Sequence, residues 1–119
     1  CGAMDALMKP ESIAHMPIVR NWLNHSESAR RIIQETCHSL DDEARSQALV
    51  EENVLVQLDN LRTHPSVSLA LAKGEMDLYG WVFDIVHGHV FGYDADIGEF
   101  VPMSEEHIPR ATPKRVRRI

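Results

Sequence analysis

Hydrophobic positions change their spacing once along this chain, from helical steps before Gly74 to strict alternation after it. Ala3 to Lys9 is compatible with a short helix that Pro10 stops, because a residue before proline is pushed out of the helical region, and a linker follows. Pro17 is a favourable first helical position. After it Ile18, Trp22 and Leu23 share one face, Asn24-His25-Ser26 interrupts, and Ala29, Ile32 and Ile33 continue the stripe, so two helical pieces are predicted. Asp41-Asp42-Glu43 supplies a cap and a negative first turn to a long helix through Arg62, in which Val50, Val54, Leu58 and Leu61 recur at helical steps. Thr63-His64-Pro65-Ser66 then turns the chain into a short helix, Val67 to Lys73, with Gly74 as its C-cap.

Beyond Gly74, Met76, Leu78, Gly80, Val82 and Asp84 alternate with Asp77, Tyr79, Trp81, Phe83 and Ile85. The aromatic and β-branched content predicts a strand buried on both faces. His87-Gly88 reads as its turn and His89 to Tyr93 as the returning strand, which makes Met76 to Tyr93 a β-hairpin. The chain after Asp94 reads as an irregular, proline-punctuated arm, and no internal repeat is evident. Two strands alone are marginal and need a larger sheet. The expected fold class is therefore α/β, with helices and a C-terminal hairpin belonging to a mostly parallel sheet whose first strands lie upstream. A first residue that is Cys1 rather than Met agrees with that expectation.

Composition narrows the picture. With 119 residues, 44% hydrophobic and 25% charged, the chain suits one core rather than two. No apolar stretch approaches the ~20 residues that span a bilayer, and no basic segment leads into an apolar one at the N-terminus, so no membrane partner is expected. Cys1 and Cys37 are too few for a disulfide scaffold, which favours a reducing, cytoplasmic setting. Residues 1–109 carry 7 Lys/Arg against 18 Asp/Glu, a balance of −11, and the last ten residues carry 5 Lys/Arg and no acid. An acidic body repels phosphate backbones. Nucleic-acid binding would rest on Arg110, Lys114, Arg115, Arg117 and Arg118 alone, and a solvated tail is the simpler reading.

Four stretches, in order, resemble the C-terminal half of the β-class carbonic anhydrases, nearest to the bacterial cytoplasmic type. Cys1-Gly2-Ala3-Met4 is similar to the end of that family's His-x-x-Cys-Gly-Ala/Gly motif. His25-Ser26 to Arg30 follows a Met-Pro-x-Val-x-x-Trp-Leu segment, Glu52-Asn53-Val54 lies in the long helix, and Gly80-Trp81-Val82-Phe83-Asp84 lies on the first hairpin strand. The resemblance spans residues 1–100, leaving 101–119 as an arm with a basic tail. It implies a zinc enzyme that interconverts carbon dioxide and bicarbonate and works as a homodimer or higher oligomer. Cys1 matches a metal ligand, and Gly2 and Ala3 match a substrate-binding position at a helix start where backbone amides face an anion. The other ligands, a Cys and a His, and the assisting Asp-Arg pair belong upstream of residue 1, so no catalytic residue is carried over and the chain alone is expected to be inactive. Zinc on three protein ligands with an open fourth position supplies hydroxide near neutral pH. A thiol at a helix N-terminus is favoured in the thiolate form that zinc binds. Phe83 stands where many family members have Tyr.

Simpler readings compete elsewhere. Cys37 precedes His38, but adjacent helix residues do not face one point, so a packed or partly exposed thiol is expected. His87 and His89 flank Gly88 and read as turn residues, and Trp22 and Trp81 read as core packing. His15, His25 and His64 sit beside proline or loop residues, where a proton-shuttle role is conceivable. The alternative to an enzyme is a non-catalytic oligomerisation module derived from the same fold.

Overall fold

The structure is a computed structural model that describes residues 1–113. It divides into two compact units, Cys1–Gln57 and the chain from Leu58 onward.

The first unit is helical. Helices α1 (Gly2–Met8), α2 (Pro17–Leu23) and α3 (Glu27–Thr36) are linked by 3-10 turns at Pro10–Ile13 and Asn24–Ser26, so the expected linker after Pro10 is itself a helical turn. Pro10 and Pro17 begin their turns where a missing N–H costs nothing. Helix α4 (Asp42–Arg62) starts as the sequence predicts, with the Asp41 carboxylate accepting the Ala44 amide at 2.8 Å. Met4, Leu7, Ile13, Leu23, Ala29, Ile33 and Leu49 form the core of this unit. Each large side chain among them contributes roughly 1.5–3 kcal/mol by leaving water. The long helix differs from its expected stripe. Leu49 and Leu58 are its buried residues, Val50 and Val54 are half-buried, and Leu61 is 40% exposed. Trp22 is 72% exposed, so it is a surface residue and not the core residue its spacing suggests. A helical stripe fixes which residues share a face; neighbouring elements decide how much of that face they cover.

In the second unit, α5 (Pro65–Lys73) has Pro65 in its first turn and ends at Gly74 with φ 80°. There the amides of Gly74 and Glu75 reach back to the carbonyls of Leu71 and Ala70. Three strands follow, β1 (Trp81–Asp84), β2 (His89–Asp94) and β3 (Glu99–Pro102), in the order β1-β2-β3 and all antiparallel. Helices with a small sheet are the expected α/β composition, and the pairing among the described strands is antiparallel.

Three features depart from expectation. The ladder begins at Trp81 and not at Met76, because the Leu78 carbonyl is taken by the Ala111 amide at 2.8 Å. Strand β1 is buried on one face only: Val82 is 6% exposed, whereas Trp81 and Phe83 are 55% and 59% exposed, so Trp81 is not core packing either. The arm after Asp94 contains β3, joined to β2 by a turn that copies the first one. In each turn an aspartate carbonyl accepts the amide of a glycine four residues on (Asp84 with Gly88 at 2.8 Å, Asp94 with Gly98 at 2.7 Å). The carboxylate accepts the amide two residues on, at 3.1 and 2.9 Å. Both glycines have positive φ, 67° and 75°, which a side chain would strain. This Asp-x-x-x-Gly spacing is a short internal repetition and is the sequence signal for β3.

Candidate metal centre

Cys1 is the N-cap of α1, with its carbonyl accepting the Asp5 amide at 2.9 Å. Met4 and Leu7, three apart on that helix, are both buried in the core and fix the direction of α1. Ser46 on α4 donates to the Asp5 carboxylate at 3.0 Å, a second tie on the same helix. The Cys1 thiol is exposed at the head of this anchored element, and Gly2 and Ala3 beside it are exposed as well. A Cβ added to Gly2 would meet nothing within 4 Å, so no packing among the described residues demands glycine there.

Zinc takes three or four protein donors. Among the described residues no group of three or more His, Cys, Asp or Glu side chains is placed to hold a metal ion. One thiolate at Cys1 is therefore not a zinc site by itself, and the residues present do not fit the metal without further donors.

The remaining candidates do not join Cys1. Cys37 is half-buried with its Sγ 3.5 Å from Thr36 Oγ1, and His38 Nδ1 lies 3.2 Å from the Glu35 carbonyl. His87 and His89 stack with ring centroids 6.2 Å apart, and His87 Nδ1 lies 2.7 Å from Asp84 Oδ2. That bond, with the amides of His87 and Val86, holds the Asp84 carboxyl below its ordinary 3.8. His25 meets Trp22 edge-on at 5.1 Å, and His64 stands at the N-cap position of α5, where its carbonyl accepts the Ser68 amide at 2.9 Å and its side chain makes no capping bond.

A cleft of about 430 Å³ in the helical unit is lined by Leu7, Pro10, Pro17, Arg20, Asn24 and Arg30 among others. Its Arg30 is engaged, donating from Nε to Glu27 at 2.8 Å and from Nη1 to Gln34 at 2.9 Å. The hydrogen bonding lowers the Glu27 pKa from its usual 4.5 and raises that of Arg30. Sequence reading missed this pair, although Glu and Arg three apart on a helix are its signal. Of the basic tail, Arg110 lies 3.5 Å from Asp77; Lys114, Arg115, Arg117 and Arg118 lie outside the described residues. No helix among the described residues is long and apolar enough to cross a membrane.

The family model described as carbonic anhydrase matches residues 1–90. Carbonic anhydrase 1 of Escherichia coli O157:H7 is 43% identical over 115 residues, which is 97% of this chain and 52% of that protein. The carbonic anhydrase of Pseudomonas aeruginosa is 41% identical over 111 residues, 93% of this chain and 50% of its own length. The solved structure of the β-carbonic anhydrase CcaA superimposes with a TM-score of 0.83 at 37% identity, over 88% of this chain and 48% of that one. The chain thus spans about half the length of the curated relatives it matches. Sequence and fold agree that this chain belongs to the β-carbonic anhydrase family.

Proposed function

We propose that this chain supplies the C-terminal half of a zinc-dependent enzyme that reversibly hydrates carbon dioxide to bicarbonate. Residues 1–100 are its family-like part and 101–119 an accessory arm. The observation that carries this reading is the place of Cys1. The family match includes that residue, and its thiol stands exposed at the head of a helix anchored by Met4 and Leu7. On this reading Cys1 is one zinc ligand and the remaining donors come from the other half of the domain. The amides of Gly2 and Ala3 lie in the first turn of α1, where no intrahelical acceptor exists, and on this reading they would bind the bicarbonate. The assembled protein works in the cytoplasm as a homodimer or higher oligomer, and its partner is the small substrate rather than nucleic acid or a membrane.

The test restores the missing half, fused before Cys1 or coexpressed, and measures carbon dioxide hydration by stopped flow and zinc by mass spectrometry. The 119-residue chain alone with added zinc should stay at the buffer background, since one donor cannot hold the metal in a defined geometry. In the restored protein Cys1→Ser should remove most zinc and activity, while Cys37→Ser leaves both nearly unchanged. Activity of the chain alone, or loss of zinc in Cys37→Ser but not in Cys1→Ser, overturns the reading.

A second reading, a non-catalytic oligomerisation module, is favoured by one observation: Ile18, Trp22, Trp81 and Phe83 are all more than half exposed. A restored protein that assembles without binding zinc would select it.

A further inference from the structure

A second cavity in the helical unit, of about 210 Å³, lies where α1, α3 and α4 meet, and its floor is apolar: Met8, Ile33 and Leu49, the last two buried in the core. Arg30, Gln34, Arg45 and His38 complete its lining. The cavity thus holds two permanent positive charges and no carboxylate, in a chain with 18 Asp/Glu against 12 Lys/Arg. Other hollows mix the two signs or are acidic. Glu27 lines the 430 Å³ cleft alongside its arginines, and Glu105 lines the groove beside β2 and β3.

Its donors are not all spent. Arg30 is matched by the Glu27 carboxylate and by Gln34 Oε1, to which its Nη1 donates at 2.9 Å. That bond fixes which end of the Gln34 amide is oxygen and leaves the two hydrogens of Nε2 without an acceptor among the described residues. Arg45 is held by neutral groups: Nε and Nη2 donate to the carbonyls of Cys37, His38 and Leu40. Its Nη1 has only the exposed Asp42 at 3.9 Å, beyond hydrogen-bond length. The Arg45 fork is therefore fixed in place while its charge lacks a close counterion. His38 is held at the rim by Nδ1, which donates to the Glu35 carbonyl at 3.2 Å.

We infer that this cavity is a binding site for a small organic monocarboxylate, whose carboxylate takes hydrogen bonds from Arg45 Nη1 and Gln34 Nε2 and whose apolar body lies on Met8, Ile33 and Leu49. Size sets the class. A dry cavity of roughly 150 Å³ holds a benzene ring, so one of about 210 Å³ admits such a ring, or a short branched chain, with its carboxylate attached. A dicarboxylate is excluded by its second charge, which would rest on the apolar floor without a partner. A bound acid bridges α3 and α4 and touches α1 at Met8, so it stabilises the helical unit. The site uses neither Cys1 nor the amides of Gly2 and Ala3, and it stands independently of the proposed hydration of carbon dioxide.

The test titrates the 119-residue chain, without zinc and at constant ionic strength, with benzoate and follows it by NMR. The Gln34 side-chain amide and the methyl signals of Ile33 and Leu49 should shift together and saturate in the millimolar range. The melting temperature should rise with benzoate concentration. Benzamide, which keeps the ring without the charge, and acetate, which keeps the charge without the ring, should each bind at least about tenfold more weakly. Gln34→Glu keeps the acceptor for Arg30 and puts a negative oxygen in place of Nε2. It should leave the melting temperature of the free chain unchanged and weaken benzoate at least about tenfold. Arg45→Met should abolish saturation; because it also frees the loop after α3, Gln34→Glu decides where the two disagree. Absence of a saturable shift, benzamide or acetate binding as tightly as benzoate, or Gln34→Glu binding like the natural chain overturns the inference. Shifts confined to Gly2 and Ala3, which place the anion at the head of α1, overturn it as well.

Discussion

The ring of Pro109 lies against the bare α-carbon of Gly92: a Cβ built on Gly92 would stand 2.4 Å from Pro109 Cγ and 3.2 Å from Pro109 Cδ. Both residues are buried, Pro109 completely. The contact closes the chain after β3 over the centre of the sheet, beside the bond from the Ala95 amide to the Arg110 carbonyl at 2.9 Å.

Gly92→Ala should therefore destabilise the protein by about 1–3 kcal/mol, because a proline ring cannot swing aside and Met103 Cγ closes the space at 3.3 Å. Urea unfolding monitored by tryptophan fluorescence checks this. Ala introduced at Gly2, where the added Cβ meets nothing, should leave the midpoint in place.

Asp84 gives the hairpin a pH dependence. Its hydrogen bond to His87 keeps the folded carboxyl below 3.8, the ordinary value, so the stabilisation is fully present above that value and disappears as pH falls through the lower folded one. The melting temperature of the natural chain should drop more steeply than that of Asp84→Asn between about pH 5 and pH 2. A carboxyl NMR titration of Asp84 should place its midpoint below 3.8.

Arg45 holds the chain that leaves α3. It donates from Nε to the Cys37 carbonyl at 3.3 Å and from Nη2 to those of His38 and Leu40 at 3.1 and 3.0 Å. Arg45→Met keeps the length of the side chain and removes every donor, and should cost about 1–3 kcal/mol. Its ion pair with Asp42 is long, 3.9 Å, and Asp42 is 94% exposed, so Asp42→Asn should change little. Chemical denaturation of both variants separates the two effects.

Leu49 and Leu61 lie on the same long helix and look alike in sequence. Leu49 is fully buried and Leu61 is 40% exposed. Leu49→Ala should lose about 2–5 kcal/mol and Leu61→Ala well under half of that, measured by thermal and urea unfolding.

The sequence by itself determined where most helices start and stop. Pro10, Asp41 and Gly74 act on their own backbone or on that of residues a turn away, and the structure bears each of them out, whereas Pro65, read as part of the turn before Val67, itself begins α5. The proposed zinc-ligand role of Cys1 rests on sequence resemblance, carried by the contiguous Cys1-Gly2-Ala3 stretch, and no metal-holding group of three or more His, Cys, Asp or Glu is assembled among the described residues. The second Asp-x-x-x-Gly turn was equally local and could have announced β3.

Tertiary structure alone decided which apolar faces are covered. Periodicity assigns Trp22, Trp81, Val54 and Leu58 to apolar faces, yet their exposure runs from 72% at Trp22 to 6% at Leu58, because burial depends on what packs opposite each of them. The contact of Gly92 with Pro109 and the hold of Arg45 on three carbonyls both follow from pairings between residues apart in sequence. Such pairings leave no local signature, since a backbone group or a missing side chain looks the same in sequence whichever partner it meets.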